Sequence, residues 1–260
     1  MNEFWAVYLA SLAILLVGMT GLWIISLLLR NVSIVDPFWG VAFVLSAWYF
    51  YSQTPGGEPV RKLLLVGLVT IWGIRLSIYL LWRNWGHGED YRYQAFRQRY
   101  GPERYWWVSF FQTFMLQGLL AWIISAPLLG AQIRGGPLNA LDFLAVAVWI
   151  IGFVFEAGSD LQLARFKASS DNRGKLLTRG FWRYSRHPNY FGDAACWWGF
   201  GLFSLAAGSY LAILGAAVMT VLIIQVSGVA MLERSLKVNK PGYEEYARRT
   251  SRFIPWRPRE

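Results

Sequence analysis

Seven long apolar runs constrain this chain more than any other feature. They lie near residues 5–29, 34–51, 60–82, 108–129, 138–160, 192–207 and 209–231. A helix needs roughly 20 apolar residues to cross the hydrocarbon of a bilayer, and these runs approach or reach that length. Only 15% of the 260 residues are charged, against about 25% in an ordinary soluble domain. The expected fold is therefore an all-α, polytopic membrane helical bundle with about seven transmembrane helices. The first run predicts a span and not a signal peptide. Glu3 stands where a basic segment would belong, and the run ends in Leu27-Leu28-Leu29-Arg30 with no small-residue cleavage site. Many of the 15 Trp and 13 Tyr sit near run ends, among them Trp5, Tyr49, Tyr51, Trp82, Trp85, Trp106 and Trp107. Amphipathic rings favour the headgroup boundary.

The net charge of +10 is informative through its placement. Over seven spans, 21 of the 25 basic residues fall on one side: Arg30, five between Arg83 and Arg104, seven between Arg165 and Arg186, and eight in the tail. The other side holds only Arg61, Lys62 and Arg134, and Arg75 lies within the third run. The positive-inside rule then places the N-terminus outside and the tail in the cytosol. This distribution is read as topology, with membrane lipid as the partner and no nucleic acid. Gly56-Gly57 and Gly135-Gly136-Pro137 mark short outer turns, and no internal repeat interrupts a single integral membrane domain, residues 1–260. A lone Cys196 with His87 and His187 gives no disulfide framework and no metal site.

Ionisable groups inside a span are functional candidates, because burying them is costly. Asp36 opens the second run in Ser33-Ile34-Val35-Asp36-Pro37, where it is a catalytic candidate or a helix cap. Arg75 and Tyr79 are four residues apart and share a helix face, as do Glu156 and Asp160. The two carboxylates could instead pair with Arg165. The densest constellation runs from Gly174 to Asp193 and holds Lys175, Arg179, Tyr184, His187, Asn189 and Tyr190, with Trp197 just beyond. Cations can neutralise phosphates, Asn and Asp can hydrogen-bond ribose or amide groups, and aromatics can flank a flat ring. Gly199-Phe200-Gly201 lies in an apolar run without a βαβ context, so no Rossmann fingerprint is present.

Gly180-Phe181-Trp182-Arg183-Tyr184-Ser185-Arg186-His187-Pro188-Asn189-Tyr190-Phe191-Gly192-Asp193 resembles the matching run of the bacterial DUF1295 proteins. The same is true of Val35-Asp36-Pro37-Phe38-Trp39-Gly40, of Trp85-Gly86-His87-Gly88-Glu89-Asp90-Tyr91-Arg92-Tyr93 and of Phe253-Ile254-Pro255-Trp256. Those proteins are in turn similar to the C-terminal domain of steroid 5-alpha-reductases, most clearly from Gly158 onward. The resemblance implies a multi-pass protein of the bacterial inner membrane, with substrate-side helices in 1–130 and a cofactor half in 131–260. It implies NADPH as cofactor, contacted by Asp160, Lys167, Lys175, Asn189, Asp193, Trp197 and Tyr246. Lys167 and Lys175 stand where the reductases commonly carry Arg, which keeps the charge but loses the bidentate fork. Arg179, Tyr184, His187, Tyr190, Glu233 and Tyr243 complete the candidate cofactor set.

The activity so implied is reduction of a carbon–carbon double bond in a lipophilic, steroid-like or isoprenoid small molecule. An acid and a phenol at membrane depth, Asp36 and Tyr79, would polarise a conjugated carbonyl and return a proton. The reductases' catalytic Gln-Glu pair has no counterpart beyond Asp36, and Trp72 aligns with their catalytic Tyr. The rival is an S-adenosylmethionine-dependent membrane methyltransferase of the isoprenylcysteine carboxyl type, which shares the Arg-His-Pro-x-Tyr run and a Glu…Tyr-x-x-Tyr…Pro tail. S-adenosylmethionine has no phosphate, so it gives no reason for Lys167, Lys175 and Arg179. The oligomeric state is not encoded in any feature of the sequence.

Overall fold

The computed structural model describes residues 3–226 and 228–259, which form helices and turns without a strand. In chain order the helices are α1 (Glu3–Leu29), α2 (Val35–Gln53), α3 (Pro59–Asn84), α4 (Tyr91–Tyr100), α5 (Pro102–Ser109), α6 (Leu116–Ile124) and α7 (Ala126–Gly130). They continue with α8 (Ala140–Ala168), α9 (Phe181–Tyr184), α10 (Pro188–Ala206), α11 (Leu214–Val221), α12 (Val229–Asn239) and α13 (Tyr243–Arg249). A π-helical turn, Phe110–Met115, joins α5 to α6, and a second, Leu222–Val226, follows α11.

Among the described residues, six helical stretches are long and apolar enough to cross a membrane: Phe4–Leu29, Val32–Gln53, Pro59–Asn84, Pro102–Gly130, Ala140–Ala168 and Tyr210–Asn239. The chain is an integral, multi-pass membrane protein. The run expected near 192–207 lies in α10, a 19-residue helix outside those six. Its first two turns carry Asn189 and Asp193, and these polar side chains dilute the apolarity that a span requires.

The chain divides into two compact units, one of residues 1–138 with 204–212, the other of 139–203 with 213–260. In the first unit α2 packs along α3, and their backbones meet at Gly40 and Gly73. A Cβ on Gly40 would lie 2.2 Å from the Gly73 carbonyl oxygen, so no side chain fits there. Helix starts follow their local chemistry: the Glu58 side chain caps α3 ahead of Pro59 at its first position. At the other end of α1, Arg30 takes φ 52°, and the Asn31 N–H closes the helix on the Ser26 carbonyl at 3.0 Å.

The few basic residues near the Gly56-Gly57 and Gly135-Gly136 turns are absorbed by backbone. Lys62, 6% exposed, donates to the Tyr51 and Thr54 carbonyls at the C-terminal end of α2, where the helix dipole favours a cation. Arg61, 1% exposed, donates to the Gly136 and Pro137 carbonyls, and Arg134 donates to the Gly208 carbonyl.

In the second unit α8 begins with a capping box formed by Asn139 and Asp142. It crosses α10 at Gly152 and Gly192, where a Cβ on Gly192 would meet the Glu156 nitrogen at 2.3 Å. Gly199 packs against Trp149 of α8, which accounts for the Gly-x-Gly as a helix contact and not a nucleotide loop.

Candidate functional site

In the first unit, two short motifs fold onto one another. Asp36 does not cap α2: the N-cap is Ile34, with no side-chain cap bond. Its carboxylate is held instead from α4, by Arg92 Nη2 on one oxygen and the Tyr93 hydroxyl on the other, both at 2.6 Å. Arg92 also donates to Asp90, and the Asp90 N–H donates to Ser33 Oγ at 2.6 Å. Glu89 accepts the Val32 N–H at 2.9 Å and a forked pair of bonds from Arg97 at 2.8 and 2.9 Å. Burial raises the Tyr93 phenol and the neighbouring Asp36 carboxylate raises it further, so it stays protonated and donating. Arg92 is held above its ordinary value because the Asp36 and Asp90 carboxylates outweigh its burial. Gln117 of α6 reaches the Tyr93 hydroxyl at 3.5 Å.

Tyr79 lies along α3 with the Arg75 guanidinium 5.4 Å and the Arg83 guanidinium 6.0 Å from its ring centre. The shared face of Arg75 and Tyr79 is as their spacing predicted. The phenol hydrogen-bonded to Asp36 is Tyr93, which sequence reasoning missed. Its signal was present in Glu89-Asp90-Tyr91-Arg92-Tyr93, which crowds two carboxylates, a guanidinium and two phenols into five residues at a helix start.

In the second unit, the segment from Gly180 to Pro188 is threaded between α8 and the tail. The Phe181 N–H donates to the Gln162 side chain, and Trp182 Nε1 donates to the Ser159 carbonyl at 3.2 Å. From the other side, Ser185 Oγ donates to the Phe253 carbonyl, the Arg186 N–H to Ser251 and the Trp256 N–H to Tyr184. The Tyr246 hydroxyl donates to the Trp182 carbonyl. Tyr246 is thus a tether of this segment, and Tyr184 offers its carbonyl while its ring is exposed.

This threading delivers His187 to Glu233 of α12. Glu233 receives Arg186 Nη1 at 3.0 Å, the Tyr243 hydroxyl at 2.9 Å and His187 Nε2 at 3.2 Å, with Arg252 Nε at 3.6 Å on its second oxygen. Burial lowers His187, and the Glu233 carboxylate only partly opposes it. Tyr243 is pushed up to about 12 by burial and by its bond to Glu233. The Tyr190 ring stacks on the His187 ring at 5.8 Å. Ser185, Arg186 and Arg252 were not expected in this cluster.

Asn189 Nδ2 donates to Asp160 Oδ1 at 3.2 Å, joining α10 to α8. Glu156 and Asp160 are both buried, whereas Arg165 is exposed. Asp193 lies one turn beyond Asn189 on α10 and is half-buried, and Trp197 is fully buried against Phe200. Lys167, Lys175 and Arg179 are exposed. The structure therefore gathers His187, Tyr190, Glu233 and Tyr243 into one cluster and Asp160 with Asn189 into another, and leaves the candidate phosphate ligands at the surface. Among the described residues no group of His, Cys, Asp and Glu could hold a metal ion.

A search of solved structures returns no match. The chain is 27% identical to an uncharacterized protein of the fission yeast Schizosaccharomyces pombe, over 90% of this chain and 75% of the yeast protein. Residues 22–250 match the family described as "Protein of unknown function (DUF1295)". With that match running from α1 to the residue after α13, the chain belongs to the DUF1295 family.

Proposed function

We propose that the protein is a membrane-embedded, NADPH-dependent reductase of a carbon–carbon double bond in a lipophilic, steroid-like or isoprenoid substrate. The proposed setting is the bacterial inner membrane, with the basic loops in the cytosol. One observation carries the reading. Arg165, Arg173, Lys175, Arg179 and Arg183 are exposed, and no ion pair engages them among the described residues. Cations left uncompensated beside an ordered polar segment suit a ligand with several phosphates.

The residues present fit that cofactor. Lys175 and Arg179 would meet phosphate oxygens, Asn189 oriented by Asp160 would hydrogen-bond a ribose or amide, and Tyr190 would offer a ring face. Bound NADPH would supply the hydride. The chain's own part is to bind, to exclude water and to return a proton. Tyr79, with two guanidiniums within 6.0 Å of its ring, is the proposed phenol for the last task. Asp36, engaged on both oxygens, serves this reading by fixing Arg92 and Tyr93.

Nucleotide affinity of the detergent-solubilised chain tests the proposal. NADPH should bind more than tenfold tighter than NADH, since a charge-assisted contact to the 2′-phosphate is worth about 1.5–3 kcal/mol. Equal affinity for the two would overturn it. Tight binding of S-adenosylmethionine alone would replace it with the methyltransferase reading.

A further inference from the structure

The first unit holds a buried polar line that its network does not complete. The π-helical turn Phe110–Met115 interrupts the apolar span between α5 and α6, and the Leu116 N–H reaches back to the Phe111 carbonyl across it. Such wide turns are rare and frequently lie at functional sites. Here the turn changes which residues align. In an unbroken α-helix Gln112 and Gln117, five residues apart, would be splayed by about 140°. The wider turn brings them toward one face, and Gln117 touches the Tyr93 hydroxyl at 3.5 Å. Tyr93 in turn donates to Asp36. The line Gln117, Tyr93, Asp36 thus runs from just beyond the π turn to the start of α2.

Within the turn itself, Gln112 Oε1 is buried and accepts no hydrogen bond. Ser77 Oγ is a second buried group without a partner, and it lies over Gly40, one turn from Asp36 on α2. A buried acceptor without a donor destabilises the fold. Each such group in a native chain calls for a physical explanation, and a partner that completes it is one.

We infer that the π turn of the first unit is a binding seat for the hydroxyl end of a lipophilic alcohol, with Gln112 Oε1 as the acceptor and the Gln117–Tyr93–Asp36 line as its polar backing. The inference rests on the reading that the substrate is lipophilic, but it requires no nucleotide. Its ligand class is set by hydrogen-bond sense: Gln112 Oε1 calls for a donor, which an alcohol has and an ether lacks.

The test is a titration of the solubilised full chain, without nucleotide, with farnesol and farnesyl methyl ether and with cholesterol and its methyl ether, followed by melting temperature. At least one alcohol should bind about tenfold tighter than its ether. Gln112→Leu and Gln112→Met should melt no lower than the parent without ligand, since they remove an unsatisfied acceptor, yet abolish that preference. Binding of neither alcohol, equal binding of alcohol and ether, or a preference that survives both substitutions would overturn the seat. Alcohol preference without any NADPH binding would leave the seat standing and remove the reductase.

Discussion

The two basic segments of this chain, residues 83–104 and residues 165–186, look alike in sequence and are used differently. Each is rich in arginine and aromatic residues and each links two apolar runs. In the first, Arg92 is paired with Asp36 and Asp90, and Arg97 with Glu89. Its central cations hold the chain to itself. In the second, Arg186 is paired with Glu233, while Arg165, Arg173, Lys175, Arg179 and Arg183 remain outward. The difference lies in the carboxylates. Glu89, Asp90 and Asp36 lie within reach of the first segment's arginines, whereas Asp171 is the only carboxylate between Arg165 and Arg186. A basic segment with internal counter-charge is a clasp, and one without it is a surface awaiting an anion.

The largest effect should come from opening the clasp. Asp36→Ala removes the acceptor of both Arg92 and Tyr93 and leaves two partly buried donors behind. It should cost roughly 2–3 kcal/mol, below the ~3–5 of a fully buried pair, because Arg92 keeps 31% of its side chain exposed. Urea unfolding in detergent measures this, and a loss under about 0.5 kcal/mol would show that the clasp is decorative. Asp36→Asn, which still accepts from Tyr93, should fall between the two.

The opposite behaviour is expected of the second segment. Lys175→Ala combined with Arg179→Ala should leave unfolding within about 0.5 kcal/mol of the parent, as for other surface sites. The same change should weaken NADPH at least tenfold with less effect on NADH. Destabilisation with unchanged nucleotide affinity would make the two segments equivalent and erase the contrast.

The smallest effect concerns His187, where the second segment enters α10. Its folded value lies below the ordinary 6.5 because it is buried. The folded chain therefore holds the neutral ring, and unfolding takes up a proton once the pH drops below about 6.5. That contribution is fully present above 6.5 and is lost progressively as the pH falls toward the folded value. Melting temperatures between pH 7.5 and 5 should decline for the parent, and His187→Gln should lessen the slope. An identical slope in the variant would assign the pH dependence to other groups.

Much of the fold was legible because the relevant signals are local. Apolar run length locates helices, Asn139 with Asp142 and Glu58 with Pro59 mark helix starts, and spacing by four puts Arg75 and Tyr79 on one face. The candidate sites were legible only in part, because their partners are distant in the chain. His187 and Glu233 are 46 residues apart and Asp36 and Tyr93 are 57 apart. No periodicity links such pairs, so Tyr79 stood out while Tyr93 did not.

By itself the sequence determined that this protein lives in a membrane as a set of helices, since backbone groups in hydrocarbon must be satisfied within each segment. It also determined where charge accumulates along the chain. Tertiary structure decided which charges are spent. Arg61 and Lys62 count as loop charges in the sequence, but folding hands them to backbone carbonyls. Arg92 and Arg97 are likewise neutralised within the first unit, whereas Lys175 and Arg179 are not. The physical reason is that Coulomb and hydrogen-bond energies depend on distance in space, and only the packed chain sets that distance.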